Sequence, residues 1–207
     1  MRATFRRGLQ FVQTQKLIPS YLVGLRDAEH GKIFIDDLAS RLANRVQLTT
    51  DAHKPYLNAI RGAFENDIDY AQIVKLYGTP LGNTTAQRYS PNECTGTRKK
   101  AMIGSPNWGK VSTSYVERQN LTMRMSMRRF TRLTNGFSKK IENHECAIAI
   151  YFMHYNFARI HQSLRVSPAM AAGITDKLWS LDDIAALVEA NEAPPKKRGP
   201  YNKGISK

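Results

Sequence analysis

The sequence predicts an α/β domain followed by a helical C-terminal part. Two observations predict it. Over residues 17–77 short apolar runs alternate with stretches of helical periodicity, and from residue 114 onward the helical period dominates. A third, 42% apolar residues in a chain of 207, allows a buried core.

Residues 1–8 show no periodicity. Residues 17–23 (Leu-Ile-Pro-Ser-Tyr-Leu-Val) read as a strand, with Pro19 pointing to an edge or a bulge. Residues 27–42 read as a helix that Asp27 could cap, with Ile33, Phe34, Leu38 and Leu42 at helical spacing. Residues 46–50 form a short strand ending at Asp51. Tyr56, Ile60 and Phe64 mark the inner face of the next helix, and 68–77 is a further strand. Residues 78–110, rich in Gly, Pro, Asn and Thr, read as a long irregular basic insertion.

Helices follow. In 114–132, Val116, Met123, Met127 and Phe130 share one narrow arc, and Glu117, Leu121, Arg124 and Arg128 share the adjacent one. Residues 138–160 are apolar on most sides, which predicts a largely buried helix. Ser167-Pro168 is a cap with a first-turn proline, and 181–189 is a last short helix. The tail, 193–207, is basic and rich in Pro and Gly, which predicts disorder; it adds phosphate contacts or only aids solubility. The expected organisation is an irregular start at 1–8, a core over 9–174 with its insertion at 78–110, a C-terminal helix within 175–192, and the tail.

Charge narrows the function. The formal net charge is +14, from 31 Lys and Arg against 17 Asp and Glu, and a protein this basic meets a polyanion, most commonly nucleic acid. No apolar run is long enough for a spanning helix, and no signal peptide is visible. Two cysteines, Cys94 and Cys146, lack metal-type spacing and suit a reducing cytosol. From Arg98 to Lys140 eleven Lys or Arg surround one acid, Glu117. Such a run is a solvated surface or a phosphate-facing one.

Two acids are candidates for chemistry. Asp51 closes a strand before a helix, where ligands of open α/β sheets bind, although Thr-Thr-Asp-Ala-His-Lys-Pro is also good turn chemistry. Glu117 either completes a capping box with Ser114 or projects from a helix start into a basic groove. Carboxylates converging from different elements could hold the metal pair, about 3.5–4 Å apart, of a two-metal phosphoryl transfer, and they are the hard oxygen ligands that Mg²⁺ prefers. His53 could touch a phosphate or cap a turn. His144 and His154 read as structural, and no histidine pair, His161 included, has zinc-site company.

These residues resemble a known pattern. Ser112-Thr113-Ser114-Tyr115-Val116-Glu117-Arg118-Gln119-Asn120-Leu121-Thr122 resembles the glutamate-bearing helix of bacterial insertion-sequence transposases of the DDE type, whose catalytic core is integrase-like. Tyr155-Asn156, Arg159, His161, Leu164 and Ser167-Pro168-Ala169-Met170 resemble the segment that ends such cores, and Thr50-Asp51 matches the second acid. The resemblance runs from about Lys16 to Glu189 and is most specific over 112–170. It implies an RNase H-like mixed sheet flanked by helices. It also implies Mg²⁺-dependent DNA cleavage and strand transfer, with Asp51 and Glu117 as catalytic residues and metal ligands. Arg118, Asn120, Arg124, Arg128, Arg129, Lys110, Lys54 and Arg132 are the expected DNA-binding residues.

The sequence departs from the pattern at the first acid. That acid belongs on the first strand, near Val12, yet 9–15 (Leu-Gln-Phe-Val-Gln-Thr-Gln) contains no Asp or Glu; the nearest downstream acid is Asp27. The family's N-terminal DNA-binding part has no counterpart either. The expectation is a truncated cytoplasmic core that binds Mg²⁺ weakly and transfers strands poorly or not at all. Its partners would be transposon-end and target DNA and no membrane, with homo-oligomerisation left open. The alternative is a basic DNA-binding remnant without chemistry, distinguished by its indifference to Mg²⁺.

Overall fold

A computed structural model describes residues 6–9, 15–78, 94–131 and 135–192. The chain divides into two compact units, Met1–Ala149 and Ile150–Lys207.

In the first unit, β1 (Arg6–Leu9) pairs antiparallel with β2 (Tyr21–Gly24). A strand therefore begins inside the stretch 1–8, whose sequence shows no periodicity. Its four residues are held by backbone pairing, which leaves little side-chain signal to read. β2 starts after Pro19 rather than at Leu17, as a residue without a backbone donor favours. Buried Ser20 donates to Asp37 Oδ2 at 2.6 Å, tying the approach to β2 to helix α1 (Ala28–Ser40). Asp27 caps α1, accepting from the His30 N–H at 2.9 Å.

A second ladder follows. β3 (Val46–Asp51) and β4 (Ile68–Tyr77) run parallel, joined through α2 (Lys54–Phe64). This is the crossover that parallel neighbours require. β5 (Cys94–Ile103) adds antiparallel on the other side of β4, giving the order β3-β4-β5. So a ten-residue strand occupies part of the stretch 78–110 that reads as irregular. Its residues are mostly exposed, so no apolar alternation announces it, and β4's backbone holds it in place. Gly104 ends it at φ +65°.

The core lies between this sheet and the two helices. Phe34, Ile35 and Leu38 of α1, Ala59 and Ile60 of α2, Leu48 of β3, and Ile68 and Tyr70 of β4 form one buried cluster. Ile33, expected on the inner face of α1, is 49% exposed, and Ile35 takes its place. Ala71 and Ile73, on the opposite face of β4, pack with Val111. Burial on both faces is what a central strand of a mixed sheet shows. The fold is thus mixed α/β and RNase H-like, a mixed sheet flanked by helices.

Helix α3 (Ser114–Ser126) is shorter than its periodicity suggests, because Arg128–Phe130 form a 3₁₀ turn. Met123 and Gln119 are its buried residues. Helix α4 (Ile141–Met153) continues into a π turn, His154–Ala158. The expectation of a largely buried helix is corrected here: Ile148, Phe152 and Tyr155 are buried at helical spacing, while Ile150 is 63% exposed. One face of this apolar helix is enclosed, and its hydropathy exceeds what its packing uses.

In the second unit, α5 (Pro168–Ala171) is capped by Ser167, which accepts from the Met170 N–H at 3.3 Å. Ser167, Pro168 and Ala169 are buried. The Tyr155 ring meets His161 edge-on at 4.6 Å, and Phe157 packs against Trp179 at 4.8 Å. Helix α6 (Leu181–Asn191) opens with a capping box between Ser180 and Asp183. The tail at 193–207 and residues 79–93 lie outside the described residues.

Candidate functional site

Asp51 is the last residue of β3, where the strand's end leaves its side chain beside the start of α2. The parallel register sets it beside Ile73 of β4. Side chains two residues apart on a strand share a face, so Ile73 and Lys75 point to the same side of the sheet. From that side α3 presents Glu117, which accepts a hydrogen bond from the Lys75 ammonium and another from Thr113 Oγ1 at 3.2 Å.

Asp51 and Glu117 line one groove of about 670 Å³ within the first unit. Arg26, Asp27, His30, Thr50, His53, Tyr56, Lys75, Thr113 and Asn120 also line it. The two acidic side chains are 61% and 54% exposed, open enough to meet a ligand.

The helix that carries Glu117 begins at Ser114 with Thr113 as its cap residue, and no side chain caps it. Ser114 Oγ instead pairs with Ser112 Oγ at 2.7 Å. Glu117 is therefore not half of a capping box, and its carboxylate is turned to Lys75. Asp51 keeps part of its turn role, since its Oδ1 accepts from the His53 N–H at 3.3 Å. Its Oδ2 lies 3.6 Å from Arg26 Nη2.

The electrostatics follow from these pairings. The hydrogen bond to Glu117 holds the Lys75 ammonium protonated above its ordinary range. Burial, aided by the negative charge of Asp51, pushes the Tyr56 hydroxyl up. Asp27 is held below the usual carboxylate range, chiefly by the His30 backbone N–H and then by the His30 ring.

Of the other residues singled out in the sequence, Asn120 lines the groove with Glu117. Lys54, Lys110, Arg118, Arg124, Arg128 and Arg129 are exposed but do not line it. Arg129 Nη1 donates to Ser138 Oγ and to the Asn143 carbonyl, so it also ties α3's end to α4. Arg132 and Val12 lie outside the described residues. His144 is structural, bonded to Ser138 Oγ at 2.9 Å and edge-on to Phe130, whereas His154 is exposed. Sequence reasoning missed Arg26 and Lys75. No local pattern marks them; only the strand register and the loop after β2 bring them to the acids.

The donor chemistry is that of a divalent cation, but the set is short. Among the described residues no three of His, Cys, Asp and Glu gather as a metal would require. Each of the two acids is already met by a cation. As they stand, these residues do not compose a metal centre.

No helix among the described residues is long and apolar enough to cross a membrane. No curated protein and no solved structure matches the chain. The sequence model of the IS1 transposase family matches residues 93–158, roughly a third of the chain. That stretch takes in β5, α3 with its Glu117, and α4 with its π turn. With the mixed α/β fold beside it, this match makes the chain similar to insertion-sequence transposases, and transposition, with DNA as partner, is the function the similarity supports.

Proposed function

We propose that the groove is the active-site region of a DDE-type transposase core, with Asp51 and Glu117 as the second and third acids and DNA as the polymer that lies along it. One observation carries this reading: two acids far apart in the sequence line the same groove, one closing a strand and one opening a helix. In a complete core of this kind a full set of acids would hold a divalent cation, Mg²⁺ by preference, which supplies the activation of a phosphodiester; Asp51 and Glu117 would be two members of that set. The core extends over about 9–174, and Arg118, Asn120, Arg124, Arg128, Arg129, Lys54, Lys110 and Arg132 supply phosphate contacts, in the cytoplasm where the DNA is.

The same chain is a poor catalyst on this reading. The place of the first acid, 9–15, holds no Asp or Glu, and losing one member of a catalytic unit can remove most of the rate. Mg²⁺, which dehydrates reluctantly, gains little from two ligands. A DNA-binding protein without chemistry is the second reading, favoured by the pairing of both acids with cations.

The test is Mg²⁺-dependent joining of DNA bearing the element's ends. The native chain is expected to give no joining above background, while Val12→Asp restores joining that Asp51→Ala then removes. Robust joining by the native chain, abolished by Asp51→Ala, contradicts the proposed impairment. A Val12→Asp chain that binds DNA and stays inert supports the second reading.

A further inference from the structure

The groove holds its acids and cations in pairs. Arg26 comes from the loop between β2 and α1 and meets Asp51. Lys75 comes from β4 and meets Glu117. The four residues thus stand on four separate segments and converge on one cavity. A single exposed ion pair is common and means little. Two cations, each set against one of the groove's two candidate ligands, form a pattern, because a divalent cation drawn to either acid would meet the positive charge already paired with it.

We infer that Arg26 and Lys75 are built-in counter-ions of this groove, which neutralise Asp51 and Glu117 and compete with a divalent cation for them. The inference rests on the proposed reading of the two acids as ligands. The alternative is that Lys75 merely fastens α3 to β4. In that case its loss would lower stability and leave metal affinity alone. A competing counter-ion predicts the opposite: its removal unmasks the carboxylate and tightens the binding of a metal ion. Because the side chains of all four residues are between about a third and two-thirds exposed, water already screens the pairs, and each release should be modest.

Mn²⁺ is a suitable probe, since its free form gives an electron paramagnetic resonance signal that bound ion loses. The full chain would be titrated at low ionic strength and neutral pH as native protein, Lys75→Gln, Arg26→Gln, Lys75→Arg, Glu117→Gln and Lys75→Gln/Glu117→Gln. Lys75→Gln and Arg26→Gln should each tighten Mn²⁺ about two- to fivefold, the span expected for an exposed pair. Lys75→Arg, which keeps the charge, should stay native-like, and the double variant should lose the gain. Arg26→Gln is a loop change that keeps the inference testable should Lys75→Gln misfold. Binding no tighter than native in the folded single variants, or a gain that survives the loss of Glu117, overturns the inference. Equal Mn²⁺ affinity of native protein and Glu117→Gln, with Lys75→Gln tightened elsewhere, instead removes the reading of Glu117 as a ligand.

Discussion

Residues were legible where their role is local. Asp27, Ser167 and Pro168 read as caps or first-turn residues from neighbours within three positions, and the structure uses them so. Glu117 shows the limit. Ser-Tyr-Val-Glu fits a capping box, but the helix starts one residue earlier than that box needs, and a lysine distant in sequence takes the carboxylate. Gly104 is a residue whose necessity only the structure reveals. At φ +65° an added Cβ would lie 2.2 Å from Asp69 Oδ1 and 2.8 Å from the Ile68 carbonyl oxygen. Asp69 is itself engaged by Arg45 Nη2 at 2.9 Å and by the Ser105 N–H at 2.9 Å, so it has little room to yield. Gly104→Ala should destabilise the first unit by more than the ~1 kcal/mol that a left-handed backbone alone costs, read as a lowered thermal midpoint. An unchanged midpoint would show that the turn relaxes.

Elements were legible in proportion to their burial. The β3-α2-β4 crossover announced itself because Leu48, Ile60, Ile68 and Tyr70 must all reach one core. β5 did not, since its exposed side chains carry no period and its pairing is main-chain work. Helix α4 misled in the other direction, being more apolar than its single enclosed face requires. Helix α6 makes a pH prediction. Lys177 Nζ bonds the Asp183 carboxylate at 2.7 Å, the Ser180 N–H and hydroxyl add to it, and together they hold Asp183 down to about 2. A depressed acid lends its helix stability above its ordinary value of 3.8 and loses it as pH falls through about 2. The first turn of α6 should therefore stay ordered down to about pH 4 and loosen between there and about pH 2, followed through the amide signals of Ser180 and Asp183 by NMR. Asp183→Asn should already be loosened at neutral pH. An Asp183 that titrates at its ordinary value would remove the argument.

At the scale of the whole molecule, composition pointed to a polyanion, and the resemblance over 112–170 pointed to DNA transposition; the family match at 93–158 overlaps that stretch. What composition could not supply was the convergence, because a groove shared by Asp51 and Glu117 exists only once β4 has set its register beside β3. Lys75 is invisible in the sequence for the same reason, and Arg26 because only the loop after β2 brings it to Asp51.

The most direct measurement of the central claim is photochemical capture of DNA from the groove. A benzophenone side chain placed at His53 or at Thr113, beside each acid, should crosslink duplex DNA under ultraviolet light at low salt. The same group at Gly62, an exposed position of α2 with open space beyond it, should not. Capture from Gly62 while both groove positions stay silent would mean that DNA lies elsewhere and that the two acids do not face it.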